Sequence, residues 1–542
     1  MDAFYNIASI MRKYFSIVFL FFTVFSVNAQ EQQSLDQQAD ILYNNYDYAR
    51  AASIYERLVK RKRVRDITWV RLADCYRQMN HYSQAADIYA KLIARPGAQP
   101  DWKLYYGDML MSLGKYDEAK EAFQQYANGG NGGGKVQHRL EGCDLAPAWI
   151  AQPTIAQIQP VNGLNSSSSD WAATFYPGGI IFMTDTLLKK QLNPNSNYNK
   201  NRYGRTNNSY YKLYYAEHQD NKDLKAWDFS STFNQYKYHV GPIVFNKDFN
   251  AAYFTLTNPV KSKHIAREKE GEKPSIVYGY RRLELYYTEK DSSSGIWKQP
   301  VPFPYNNPGA YSLGQAAFSG DGQTIYFTSD MPGGQGGTDI WYSTRQPDGT
   351  WSQPVNCGAT INTPEDEAFP TISGNNLYFS SKGWSGMGGY DIFRSTGFKT
   401  NWSSPENLKY PTNSPADDFY YNVNQNGFTY FASNRAGGMG SDDIYALATP
   451  TVIETIPRKP IITLIGTVCP SIPGACIYIY NKQRQVGWCF IGHPNREIVL
   501  TLEPDTDYEI RVTMPGGPTH YTEFTTRGEE PNAIIRKAIC IE

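Results

Sequence analysis

The chain has 542 residues, and its 52 Lys plus Arg are matched by 52 Asp plus Glu. That length exceeds a single hydrophobic core and implies about three or four domains. The charge balance offers no basic excess to hold a phosphate backbone and argues against nucleic acid, while 42 tyrosines suit β-rich architecture.

At the N-terminus, Arg12 and Lys13 precede an apolar run from Tyr14 to Val27 that ends in Val27-Asn28-Ala29. This reads as a secretory signal peptide over residues 1–29, too short for a membrane span. Gln30, rather than Cys, follows the expected cut, so a lipidated N-terminus is not expected. Export places the seven cysteines in an oxidising setting. A disulfide is expected among Cys469, Cys476, Cys489 and Cys540, with the pairing left open. Cys75 and Cys143 read as small buried hydrophobes.

Residues 30–150 carry a period of 34. Ala39, Ala73 and Gly107 align, as do Ala51, Ala85 and Ala119, and Tyr55, Tyr89 and Phe123. Small residues at fixed places let paired helices approach, and the aromatics fill the groove between them. The pattern resembles three tetratricopeptide repeats, with Lys135 to Leu145 expected as a capping helix.

Between residues 153 and 450 a second period of 52 appears. Tyr326-Phe327-Thr328-Ser329 returns as Tyr378-Phe379-Ser380-Ser381 and as Tyr430-Phe431-Ala432-Ser433. With it travel Gly334, Gly336 and Asp339, then Gly386, Gly388 and Asp391, then Gly438, Gly440 and Asp443. Ile181-Phe182-Met183-Thr184 and Tyr253-Phe254-Thr255 supply two less regular copies. Trp297, Trp351 and Trp402 each open a Trp-x-x-Pro segment, and Gln159-Pro160-Val161-Asn162 reproduces Gln353-Pro354-Val355-Asn356. Five core strands, the last sheet completed by the chain's first strand, predict a closed five-bladed β-propeller. Inserts at 187–208 and 259–280 interrupt the first two blades. Their Tyr198, Tyr203, Tyr210, Lys261, Lys263 and Arg267 are the candidate interaction residues. A linker at 451–460 leads to a small β-sandwich at 461–542. The fold class is therefore α plus all-β in separate domains: a helical solenoid, a propeller and a sandwich.

No chemistry of catalysis emerges. The glycine loops lack the lysine and following helix of a phosphate cradle and the converging oxygens of a calcium site. They read as tight loops in which glycine supplies positive φ and the aspartate accepts backbone amides. The acids of Pro364-Glu365-Asp366-Glu367 and Pro415-Ala416-Asp417-Asp418 recur at matching places, which favours loop acids over a glycosidase pair. No Gly-x-Ser-x-Gly elbow, Cys-x-x-Cys or close histidine pair occurs. No catalytic, metal or cofactor residue is assigned, and no enzyme is expected.

The blade motif resembles the WD40-like (PD40) repeat of periplasmic propellers of the TolB type. Residues 465–468, 474–475 and 502–512 resemble a carboxypeptidase-regulatory-like domain. The order of the three modules resembles the OmpA-family, PorE-like periplasmic proteins of Bacteroidetes, without their C-terminal OmpA-like domain. That resemblance implies a periplasmic, outer-membrane-associated scaffold, possible in type IX secretion or gliding machinery, with envelope proteins as partners. A glycan- or peptidoglycan-binding envelope protein is the alternative.

Overall fold

A computed structural model describes residues 34–130, 133–186, 202–217, 226–259, 281–424, 427–448 and, with short breaks, 462–540. The leader, the linker at 451–460 and the candidate residues Tyr198, Lys261, Lys263 and Arg267 lie outside the described residues. Contacts divide the chain into two units, Met1–Pro450 and Thr451–Glu542.

Among the described residues the first unit opens with seven α-helices: α1 (Leu35–Asn44), α2 (Tyr48–Leu58), α3 (Asp66–Gln78), α4 (Tyr82–Ile93), α5 (Pro100–Ser112), α6 (Tyr116–Asn128) and α7 (Gln137–Ala151). Helix α1 starts at a capping box in which Ser34 and Gln37 satisfy each other's backbone amides. The 34-residue period is visible in the packing. Ala39, Ala73, Ala51, Ala85 and Ala119 are fully buried, and Tyr55, Tyr89 and Phe123 fill the space beside them. At Gly107 a Cβ would lie 2.4 Å from the Phe123 ring, so the third repeat needs a residue smaller than alanine there. Each repeat turns on a left-handed residue, Tyr46 (φ 59°), Asn80 (φ 59°) or Gly114 (φ 71°), which directs the chain from one helix back along the next.

Five antiparallel sheets follow among the described residues. Sheet one holds Asp170–Tyr176, Gly179–Thr184, Lys212–Glu217 and Ala226–Asp228. Sheet two holds Val240–Phe245, Ala251–Pro259, Arg281–Glu289 and Val301–Pro302. Sheet three holds Leu313–Phe318, Thr324–Ser329, Asp339–Thr344 and Val355–Asn356. Sheet four holds Glu367–Ser373, Asn376–Ser381 and Asp391–Phe398, with Asn401–Trp402 and Glu406–Asn407 outermost. Sheet five holds Asp418–Val423, Thr429–Ser433 and Asp443–Ala448, and its outermost strand is Gln157–Pro160 from the start of the region. The first strand of each sheet contacts the first strand of the next, and that of sheet five contacts that of sheet one. The arrangement is propeller-like.

Alternation drives these sheets. Tyr326, Phe327, Phe379 and Phe431 are buried, and Trp351 of the third sheet and Trp402 of the fourth each pack against the sheet before their own. Trp351 lies 6.2 Å from Tyr253 and Trp402 lies 5.8 Å from Tyr326, in edge-on contact. Every first strand also carries a bulge at one left-handed residue: Ala172, Gly241, Gln315, Phe369 or Tyr420. The bulge turns backbone amides toward the neighbouring sheet. Gln315 N–H donates to Thr255 Oγ1 at 2.8 Å, and Phe369 N–H to Gln315 Oε1 at 3.1 Å.

A second device, repeated in all five sheets, has no counterpart in the motif reading. An asparagine amide brackets the third strand, accepting from one residue's N–H and donating to the same residue's carbonyl. Asn234 does this to Leu213, Asn306 to Leu285, Asn362 to Ile340, Asn413 to Ile392 and Asn165 to Ile444, at 2.7–3.0 Å. The side chain stands in for a strand where the outer strand has ended. Asn165 comes from the start of the region and clamps the last sheet.

The second unit contains a three-stranded sheet, Ile498–Leu502, Ile462–Cys469 and Ile534–Cys540, and a four-stranded sheet, Val486–Ile491, Cys476–Asn481, Asp507–Thr513 and Thr519–Thr525. Parallel pairing of Ile462–Cys469 with Ile534–Cys540 sets Cys469 beside Cys540 in register. Cys75, Cys143 and Cys357 are buried free thiols in the first unit.

Candidate functional site at the junction of the helical array and the sheet ring

The glycine loops owe their composition to space rather than to φ. Left-handed values occur at Gly333 (φ 95°) and Gly437 (φ 91°), not at the repeated glycines. At Gly334, Gly386 and Gly438 a Cβ would come within 2.0–2.2 Å of the carboxylate of Asp339, Asp391 or Asp443. At Gly336, Gly388 and Gly440 it would overlap backbone of the next sheet, at Pro364, Pro415 or Ser168. The first glycine makes room for the aspartate and the second lets adjacent sheets touch. Asp391 accepts from Met387 N–H at 2.8 Å and Gly388 N–H at 3.2 Å; Asp443 accepts from Met439 N–H at 2.7 Å; Asp339 accepts from Gln335 N–H at 2.5 Å. Burial pushes all three carboxyls above the ordinary range, Asp391 well above it.

The repeated acids divide into two roles. Glu367, Asp418 and Asp170 are buried and bind back four residues: Thr363 N–H and Oγ1 donate to Glu367 at 2.6 and 2.8 Å, and Ser414 and Ser166 do the same for Asp418 and Asp170. Burial raises Glu367 to about 7 and Asp170 to about 6. A carboxyl whose folded value is raised holds a proton that the unfolded chain releases, so its contribution is complete below the unfolded value of 4.5 and is lost as pH rises through about 7. The free energy of unfolding is therefore expected to fall across that window. Glu367→Gln, which keeps an acceptor for Thr363 N–H, should flatten the decline in denaturant titrations; an unchanged slope would refute the assignment.

Glu365 and Asp417, one period of 52 apart, face the helical array. Asp417 accepts from Asn80 Nδ2 at 3.0 Å and Tyr82 OH at 3.2 Å, and from Tyr390 N–H of its own ring at 2.9 Å. Asn434 Nδ2 donates to Tyr82 OH at 2.9 Å. Glu365 accepts from Arg139 Nη1 at 3.1 Å, while Arg139 Nε holds Asp108 at 2.7 Å. Ser385 Oγ donates to Glu141 at 2.7 Å, and Met387 is buried among Met111, Tyr116, Cys143 and Ala146 of the array. Gly142 of α7 meets the ring so closely that a Cβ would lie 2.4 Å from the Gly386 carbonyl oxygen. The turns of the array and its last helix thus seat on the glycine loops and acids of the ring.

Between them lies a cavity of about 1700 Å³. Its array wall is formed by the Asn45–Asp47 and Asn80–Tyr82 turns, and its ring wall includes Trp171, Arg205, Gln315 and Phe369. Of the candidate interaction residues, Tyr203 and Tyr210 are described, and both line this cavity. They surround His239, whose ring lies 4.5 Å from Tyr203, 4.9 Å from Tyr210 and 5.0 Å from Tyr211. Burial, with Lys212 and Arg281 nearby, lowers His239 to about 3, so it is neutral at ordinary pH. Arg281 donates to Tyr210 OH at 2.6 Å and stands 4.1 Å above the Tyr238 ring. Only the tyrosines of the first insert were legible as candidates; His239, Arg281 and Arg205 carried no motif.

These features define a protein with an interaction-type helical repeat seated on a propeller-like β region. Residues 37–98 and 70–133 match the tetratricopeptide repeat family. No curated protein matches the chain. Among solved structures, TolB from Acinetobacter baumannii is 13% identical over 61% of this chain, with a TM-score of 0.24, and the chain spans 63% of the TolB chain. An α-L-arabinofuranosidase from Lactobacillus brevis is 12% identical over 54% of this chain and 93% of its own, with a TM-score of 0.30. The α-L-arabinofuranosidase of Podospora anserina is 10% identical over 54% and 96%, with a TM-score of 0.33. No helix of the described residues is long and apolar enough to cross a membrane.

Proposed function

We propose that the chain is a non-enzymatic scaffold of the bacterial cell envelope, exported to the periplasm and associated with the outer membrane, in which three tetratricopeptide repeats and a five-bladed propeller act as one rigid body. The observation that carries this reading is the junction itself. Asp417 and Glu365 bind the array at two separate points, so surfaces on the two modules keep a fixed mutual orientation, as a protein that aligns two partners requires. The order of modules extends the proposal to an outer-membrane machinery of the type IX secretion or gliding kind.

The full chain, cross-linked in envelope extracts and analysed by mass spectrometry, is expected to recover outer-membrane or secretion components. Part of that set should be lost on deletion of residues 34–145. Recovery of the same proteins by the deleted chain, or of none by the intact one, would remove the basis for a scaffold.

A further inference from the structure

The cavity between array and ring has more positive charge than its own acids use. Asp417 is occupied by Asn80, Tyr82, Asn434 and Tyr390. Asp442 accepts from Ser169 Oγ at 2.5 Å, and Asp47 is paired with Arg50. Among the described residues Arg205 makes no hydrogen bond or contact ion pair and faces the charges of Asp442 and Asp417, while the Lys237 ammonium stands 5.2 Å over the Tyr238 ring; both line the cavity. Lys237 and Arg281 are exposed at its wall beside the tyrosines that enclose His239. A neutral histidine adds no competing charge there.

The geometry points to a binding site for an acidic oligosaccharide, its carboxylates held by Arg205, Lys237 and Arg281 and a sugar ring laid against Tyr203. Three features select this ligand. Six arginines and lysines line the cavity against three aspartates, so the ligand is an anion. The volume of about 1700 Å³ exceeds the roughly 300–1,000 Å³ of ordinary small-molecule pockets and leaves room for several rings. An acidic peptide would share the charge, but the bulges at Ala172, Gly241, Gln315, Phe369 and Tyr420 interrupt all five inner strand edges on which an extended peptide would pair. Sugar hydroxyls, which both donate and accept, suit a wall of amides, phenols and a neutral imidazole. The site stands apart from the scaffold reading, because it requires no protein partner.

The test is titration calorimetry of the full chain at neutral pH with tetragalacturonate, a hyaluronan tetrasaccharide, uncharged maltotetraose and a hexaglutamate peptide. At least one acidic saccharide is expected to saturate a single site, with maltotetraose about tenfold weaker or more, as loss of charge-assisted bonds implies. Added salt should weaken binding. Arg205→Gln and Tyr203→Ala should each weaken it about tenfold, and so should Lys237→Gln, whose exposed ammonium bonds to no other group of the described residues. Saturation by neither acidic saccharide, or affinity unmoved in all three variants, overturns the assignment. Hexaglutamate binding as tightly as the sugars, and lost in the same variants, overturns it in favour of acidic peptides.

Discussion

Asn165→Ala is expected to destabilise the first unit by about 2 kcal/mol, since two buried bonds vanish and the Ile444 N–H is left without a partner, while its carbonyl keeps only the Val161 N–H. Asn165 is 8% exposed, so water cannot take over the bracket. The loss also falls where the chain's first strand meets its last sheet: Gln157–Pro160 pairs with Asp443–Ala448, and Val161 N–H donates to Ile444 O at 2.9 Å. Weakening that contact frees an edge of sheet five, so the variant should also self-associate. Asn234→Ala removes the same bracket from sheet one, where the bonds are only partly buried, and should cost about 1 kcal/mol. Urea titrations followed by tryptophan fluorescence measure both. Equal losses in the two variants would show that closure of the ring adds nothing to the clamp.

Gly142→Leu should separate the helical array from the ring. Its Cβ would lie 2.4 Å from the Gly386 carbonyl oxygen and 2.7 Å from Met111 Cε; the methionine can move, but the backbone of a loop held by Asp391 cannot. Helix α7 must lift, and the Arg139–Glu365 and Ser385–Glu141 contacts go with it. Arg139 keeps Asp108, but Glu365 loses its partner, at a further cost of about 1 kcal/mol. Calorimetry should then show the array and the ring melting separately, and proteases should cut near the glycines at 129–134. Gly134→Ala, with nothing within 4 Å of the added Cβ, should behave as the parent chain. A single transition in Gly142→Leu at the parent temperature would contradict the docked arrangement.

The two periods were legible because each is written in local packing. A residue of the 34-residue repeat meets neighbours within its own or the adjoining helix pair, so small residues at Ala51, Ala85 and Ala119 recur wherever that contact recurs. The 52-residue period likewise records strand-to-strand register, in which Ser329, Ser381 and Ser433 stand opposite Asp339, Asp391 and Asp443. The glycines were legible as a pattern but not in their cause. Crowding by a carboxylate and by the next sheet is invisible in a string of residues, and positive φ was the nearer explanation. Four of the five asparagines stand 21 or 22 residues after the residue they bracket, a regular spacing the motif reading passed over because it carries no hydrophobic period; Asn165, 279 residues from Ile444, shows its role only in the folded chain.

The residues by themselves determined the helical array, the repeated sheets and the return of the first strand to the last sheet, because each follows from short-range periodicity and alternation. Tertiary structure alone decided that the array sits on the ring. Asn80 and Asp417 are 337 positions apart, and Arg139 and Glu365 are 226. An acid on a loop carries no mark of its partner until folding brings two distant surfaces together. The chamber that results, with more cations than acids in its lining, belongs to neither module's sequence.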